Sequence, residues 1–308
     1  MEIVDKIING DCLEVMRQIP DCSVHLVITS PPYNLGLNYD VHNDNLAYEK
    51  YLNWMNEVWA ETKRVLVPGG RFALNIAPTS IKNFLPVHHD FSNQLRKLGM
   101  IMRTEIIWYK QTMLKRTAWG SWKSPANPHI VPSWEYVLVF NKDSWALPGN
   151  PQHADVTRDE FMRFSDGFWY IPPESQRRGH PSPFPEELIY RLVKFYTYKG
   201  NTVLDMFGGT GTVAVVAFKT GRHFLHIDVS PQYCQIAEKR LEAARIEQEL
   251  PLSVGRIGKA HKVGQLFHIA SNEIPARRRE KLAQSRLLET KASYANKDKE
   301  KPLTKVKL

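Results

Sequence analysis

The stretch Asn201-Thr-Val-Leu-Asp-Met-Phe-Gly-Gly-Thr-Gly-Thr212 decides the fold. Thr202 to Leu204 is a short β-branched, apolar run of the kind that forms a buried strand, and the apolar pattern from Thr212 to Thr220 has helical spacing. Between them Gly208, Gly209 and Gly211 let the backbone turn tightly and approach a ligand without a Cβ in the way. Strand, glycine loop and helix in that order make a nucleotide-type binding turn. The glycines form neither G-x-G-x-x-G nor G-x-x-x-x-G-K-[ST], which argues against a nicotinamide dinucleotide and against a nucleoside triphosphate. Asp228 ends the next strand-like run, HFLHI, where a carboxylate can accept hydrogen bonds from both hydroxyls of a ribose.

Outward from this turn, β-rich apolar runs recur at Ile7-Ile8, Val24 to Thr29, Phe72 to Ile76, Ile106 to Tyr109, Tyr136 to Phe140, Thr202 to Leu204 and Phe224 to Ile227. Helical patterns alternate with them at Leu13 to Ile19, Tyr48 to Leu66, Phe91 to Leu98, Leu188 to Tyr196, Thr212 to Thr220 and Gln232 to Ile246. The alternation predicts an α/β fold with a doubly wound, mostly parallel sheet of seven strands. Pro185 before Glu186 and Glu187 predicts a helix with proline at its first position, and Ser230-Pro231 predicts a second with a capping hydroxyl.

Ser30-Pro31-Pro32-Tyr33 closes the run Val24 to Thr29 and so falls at the carboxyl end of a buried strand, where open α/β sheets place their ligands. Two prolines donate no N–H and hold a stiff turn, leaving carbonyls and the Ser30 hydroxyl as acceptors beside an aromatic ring. Such a site suits a flat amine.

At 308 residues and 43% hydrophobic content the chain can bury a large core. Cys12, Cys22 and Cys234 have no metal-ligand or disulfide spacing, so neither a metal nor a disulfide framework is expected. With no apolar stretch of membrane-spanning length and no signal-like start, a cytoplasmic protein is expected. The net charge of +9 is confined to one end: residues 251–308 hold 14 Lys/Arg against 5 Asp/Glu, and the rest is balanced. That segment reads as a basic, partly disordered extension suited to phosphates. From Gln111 to Gly179 the alternation is interrupted apart from the Tyr136 strand, and bases mix with aromatics. Lys115, Arg116, Trp119, Lys123, Arg177 and Arg178 are the candidate contact residues of what reads as a recognition insert.

TSPPYN, GGRFALNI, IIWYK, GHPSPFPEEL, NTVLDMFGGTGT and HIDVSPQYCQIAEKRL resemble, in that order, the motif series of the amino-methyltransferases of DNA in their circularly permuted β arrangement. The likeness spans roughly residues 6–245. It implies a Rossmann-like methyltransferase fold with a catalytic half (1–110), a target-recognition insert (111–179), a cofactor-binding half (180–250) and the C-terminal extension (251–308). It also implies S-adenosyl-L-methionine as cofactor and double-stranded DNA as partner. A cognate restriction endonuclease acting on the same site, and a monomer or homodimer, go with that expectation.

By resemblance, Phe207, Gly208, Gly209 and Gly211 form the cofactor loop, Asp205 begins it, and Asp228 binds the ribose. Asp11 corresponds to an acid near the cofactor adenine, although an N-cap role fits it equally well. His180 and Ser182 lie in the motif beside the methionine end. Ser30, Pro31, Pro32 and Tyr33 are the catalytic candidates: Ser30 hydroxyl and Pro31 carbonyl to hold the amine, Tyr33 to stack on a base flipped from the duplex.

Ser at the head of that motif and the Ser-Pro-Phe-Pro run resemble the branch that methylates cytosine N4, with adenine N6 as the alternative. Methylation at cytosine carbon 5 would need a Pro-Cys nucleophile, which is absent from the sequence. A DNA-binding module without catalysis leaves Ser30, Tyr33 and Asp228 unexplained, and a dinucleotide oxidoreductase has no use for Ser-Pro-Pro-Tyr.

Overall fold

The computed structural model describes residues 4–34, 46–77, 85–110, 120–121, 123–130, 132–175 and 182–249. The basic extension 251–308 and Lys115, Arg116, Trp119, Arg177, Arg178 and His180 lie outside these residues.

The strands are β1 (Lys6–Asn9), β2 (Val24–Thr29), β3 (Leu66–Ile76), β4 (Met100–Tyr109), β5 (Trp134–Lys142), β6 (Phe168–Tyr170), β7 (Thr202–Asp205) and β8 (His223–Asp228). They form one sheet in the order β1-β8-β7-β2-β3-β5-β4-β6, which is one strand more than the sequence suggested. The addition is β6, which lies parallel to β4 with Trp108 opposite Trp169. Among these strands only β5 runs antiparallel to its neighbours, β3 and β4. The helices are α1 (Cys12–Met16), α2 (Tyr48–Val65), α3 (Val87–Lys97), α4 (Arg158–Phe164), α5 (Glu186–Tyr196), α6 (Thr212–Lys219) and α7 (Pro231–Glu249).

Strand residues alternate between two cores, as a sheet covered on both faces requires. Leu204, Leu225 and Ile227 join the core formed with α1, α2 and α3, while Val203 and Phe224 join the core formed with α4, α5 and α6. In α2 the buried residues Tyr51, Met55, Val58, Trp59, Thr62 and Val65 recur at three- and four-residue steps, so one stripe faces the sheet. Ser230 caps α7 as expected, its Oγ accepting from Tyr233 N at 3.2 Å. Pro185 stands one position earlier than expected: it is the N-cap of α5, and Glu186 is the first helical residue.

The stretch 111–179 returns to the sheet with β5 and again with β6, and α4 docks between these returns. Thr157 and Glu160 close a capping box at the start of α4. Asp155 then accepts two hydrogen bonds from the Arg222 guanidinium, at 2.7 and 2.8 Å, and pairs with Lys194 of α5 at 3.1 Å. The Arg222 side chain is fully buried and donates further to the Thr197 and Thr220 carbonyls, so it bolts this stretch to the α5 and β8 side of the molecule.

Candidate active site and family

β2 and β7 are neighbours at the centre of the sheet, and their connections leave in opposite directions, through α2 to β3 and through α6 to β8. The carboxyl ends of these two strands are therefore the switch point, where ligands of doubly wound sheets bind. The turn Ser30–Tyr33 and the glycine loop both open there. Together with Asp11 after β1 and Asp228 at the end of β8, they line one cleft.

The glycine loop is held from below and behind. Gly208 N donates to the Ile227 carbonyl at 2.9 Å, and a Cβ on Gly208 would lie 2.2 Å from the His226 ring, so only glycine fits. His226 itself is fully buried, and burial together with Arg240 pushes its imidazole down to about 4; it is neutral. Gly211 adopts φ 79° and precedes α6 as its N-cap. Arg240 of α7 braces the loop by donating to the Thr210 carbonyl at 2.7 Å and to Thr212 Oγ1 at 3.0 Å.

Asp228 faces the cleft with its carboxylate oriented by two backbone amides, Gly209 N at 2.7 Å and Ser230 N at 2.8 Å. Asp205 is different: it lies 2% exposed beneath the loop, accepting from Thr29 Oγ1 at 2.7 Å and Phe207 N at 3.1 Å. Burial pushes its carboxyl up to about 7, against the lowering effect of those two donors. The Thr29 bond ties the strand that carries Ser30 directly to the strand that carries the glycine loop. Asp11 does cap α1, accepting from Leu13 N at 2.9 Å and Glu14 N at 3.1 Å, and it also lines the cleft. Ser182, Phe207 and Gly209 line it too, whereas Gly211 and Lys123 do not.

Several cleft residues escaped the sequence reading. Trp54 of α2 packs edge-on against Phe207 with ring centroids 5.8 Å apart, and Phe184 and Tyr233 add further aromatic wall. Behind the Ser30–Tyr33 turn lies a buried polar network. Ser30 Oγ donates to Tyr33 Oη at 2.8 Å, and Tyr33 Oη donates to Glu135 Oε2 at 3.3 Å. Asn75 Nδ2 donates to both that carboxylate oxygen, at 2.6 Å, and Tyr33 Oη, at 3.2 Å. Lys110, at the end of β4, forms an ion pair with the other Glu135 oxygen. On the opposite side Tyr51 of α2 donates to the Pro32 carbonyl at 2.6 Å. Tyr33 is thus 7% exposed with its hydroxyl facing inward, a wall of the cleft as much as a member of the core.

Among the described residues the lining contains two carboxylates, Asp11 and Asp228, and no cationic side chain, with flat apolar surfaces from Trp54, Phe184 and Phe207. That donor set fits S-adenosyl-L-methionine, which carries a sulfonium, an ammonium and a ribose beside an adenine ring. Asp228 could accept from ribose hydroxyls, and Gly209 presents the loop to the cleft without a Cβ.

The chain is similar to known proteins over most of its described length. A family model described as DNA methylase, for the N6 and N4 enzymes, matches residues 24–239. The type II methyltransferase M.MjaI of Methanocaldococcus jannaschii is 31% identical over 277 residues, covering 77% of this chain and 90% of its own. M.MjaVI of the same organism is 36% identical over 172 residues, 56% of this chain and 87% of its own. A Thermus thermophilus protein described as a DNA modification methylase, solved as a complex with S-adenosyl-L-methionine, superposes with a TM-score of 0.62 at 33% identity, covering 78% of this chain and 93% of that one. The chain therefore belongs to the N6/N4 family of DNA methyltransferases, with S-adenosyl-L-methionine as its cofactor.

Proposed function

We propose that the protein methylates the exocyclic N4 of a cytosine flipped out of double-stranded DNA at a specific sequence, as the modification arm of a restriction-modification system. A cognate endonuclease would act on the same sequence. The observation that carries the choice of base is Ser30 at the head of the catalytic turn, with its hydroxyl donating to Tyr33. A carboxylate such as Glu135 can only accept, so Tyr33 gives it the phenolic proton and Ser30 must give its own to Tyr33. The Ser30 oxygen then presents lone pairs, without negative charge, to the cleft. Ser at this position, with Ser182, Pro183 and Phe184 lining the same cleft, resembles the branch that methylates cytosine N4, and that resemblance supports cytosine over adenine.

S-adenosyl-L-methionine, when bound, supplies an electrophilic methyl group. An exocyclic amine is a poor nucleophile because its lone pair is delocalised into the ring. Ser30 Oγ and the Pro31 carbonyl hold the amine by its two N–H groups and favour a pyramidal nitrogen, and the Tyr33 and Trp54 rings bound the flat base. Lys123, with Lys115, Arg116, Trp119, Arg177 and Arg178, is assigned to the DNA contacts on chemistry alone.

Nucleosides released from DNA methylated by the protein should contain N4-methylcytosine and no N6-methyladenine when resolved by mass spectrometry. Methyladenine alone would overturn the choice of base and leave methyl transfer standing. The basic extension should add affinity without choosing sequence. Truncation after Glu249 is expected to weaken DNA binding at low salt and to flatten the salt dependence by about 0.9 in log–log slope for each phosphate that the extension neutralises. An unchanged slope, measured by binding titration across salt concentrations, would remove the extension from the interface.

A further inference from the structure

Ser30, Tyr33 and Glu135 form a directed chain of hydroxyls ending on a carboxylate, and the cleft lies at its open end. Glu135 is 3% exposed, and in the methyl-transfer chemistry described above it only orients the Tyr33 and Ser30 hydroxyls and takes up no proton. A buried carboxylate is costly unless paired and hydrogen-bonded, and here both requirements are met by Lys110 and Asn75. Its place at the head of β5, opposite Trp108 and next to the strand that carries Asn75, makes it a fixed end point.

We propose that Glu135 is the terminal acceptor of the proton that the amine gives up, acting through Tyr33 and Ser30. This rests on amino-methyl transfer at the Ser30 turn, and it holds for either base. The amine nitrogen forms its new bond to the methyl carbon as the bond from that carbon to sulfur breaks, the electron pair leaving with sulfur. The nitrogen is then positively charged and holds one proton too many. That proton passes to Ser30 Oγ, the Ser30 proton passes to Tyr33 Oη, and the Tyr33 proton passes to the Glu135 carboxylate. Glu135 ends as a neutral acid and returns the proton to water as product leaves. Each link already points the right way. The 3.3 Å link from Tyr33 to Glu135 is long for a hydroxyl donor, and links of this kind commonly shorten when the reacting group is in place. Asn75 holds both of its members, so the pair shares one clamp.

The test compares single-turnover methyl transfer by the full chain, its E135Q and Y33F variants and the double variant across a range of pH, with cofactor affinity measured by calorimetry on each. Each single variant should slow transfer by about 100-fold, the double variant no further, because the two act as one path. The shape of the pH–rate profile should differ between wild type and E135Q. Cofactor affinity should stay within about 2-fold, since neither group is assigned to the cofactor. A wild-type rate and pH profile in E135Q would overturn the relay, and so would multiplying losses in the double variant or a parallel loss of cofactor affinity. If E135Q fails to fold, Y33F decides alone: it keeps the ring, and full activity in it overturns the relay. A wild-type chain that methylates no base would instead overturn the functional reading on which the relay rests.

Discussion

Asp228→Ala should weaken S-adenosyl-L-methionine binding by at least about 10-fold. The carboxylate is proposed to accept one or two charge-assisted hydrogen bonds from the ribose, each about 1.5 to 3 kcal/mol. It also accepts from Gly209 N and Ser230 N, so its removal frees the loop that shapes the cleft. Asp228→Asn keeps an acceptor and should lose less. Calorimetric titration with the cofactor checks both, and an alanine variant with unchanged affinity refutes the ribose assignment. Turnover at saturating cofactor should recover much of the loss, since Asp228 does not touch the Ser30 turn.

Arg222→Met should lower stability by about 3 kcal/mol, the low end of the cost of breaking a buried ion pair from one side. The low end applies because Lys194 remains beside Asp155 at 3.1 Å. For a unit of this size that is a fall of about 6–12 °C in melting temperature. Burial alone would raise the Asp155 carboxyl, but the Arg222 and Lys194 cations override it and hold it below the ordinary carboxylate range. A depressed carboxyl contributes stability above its unfolded value and loses it as pH falls through the folded one. The gap between wild type and variant should therefore be full at neutral pH and narrow in acid. Calorimetric melts across that range measure it, and a gap independent of pH would mean that packing rather than charge is lost.

The glycine loop, Asp228 and the Ser30 turn were legible because each sits within a few residues of a strand end, where chain order alone places it. β6 was not legible: three residues give no periodicity, and Phe168-Trp169-Tyr170 reads as one more patch of aromatics. The start of α4 did carry a signal, since Thr157 and Glu160 have capping-box spacing, but the helix is only seven residues long and little apolar pattern follows. The network behind Tyr33 is the most instructive omission. Asn75 and Glu135 are 60 residues apart, and Glu135 and Lys110 are 25 apart; they meet only because β5 inserts antiparallel between β3 and β4. One clue was present in the sequence. A lone carboxylate at the head of the strand WEYVLVF demands a buried partner, and the lysine that ends IIWYK was the nearest strand-end candidate.

The bond from Thr29 to Asp205 spans 176 residues of chain, and it closes the pairing of β2 with β7 at the middle of the sheet. During synthesis at about 5 to 20 residues per second, the Ser30 turn leaves the ribosome roughly 9 to 35 seconds before the loop it must face. β1 waits longer still, because among the described strands it pairs with β8 alone. The nascent protein thus cannot bind its methyl donor until most of the chain has been made. A half-made polypeptide already holding Ser30 and Tyr33 is chemically silent, and DNA is marked only by molecules that have finished folding.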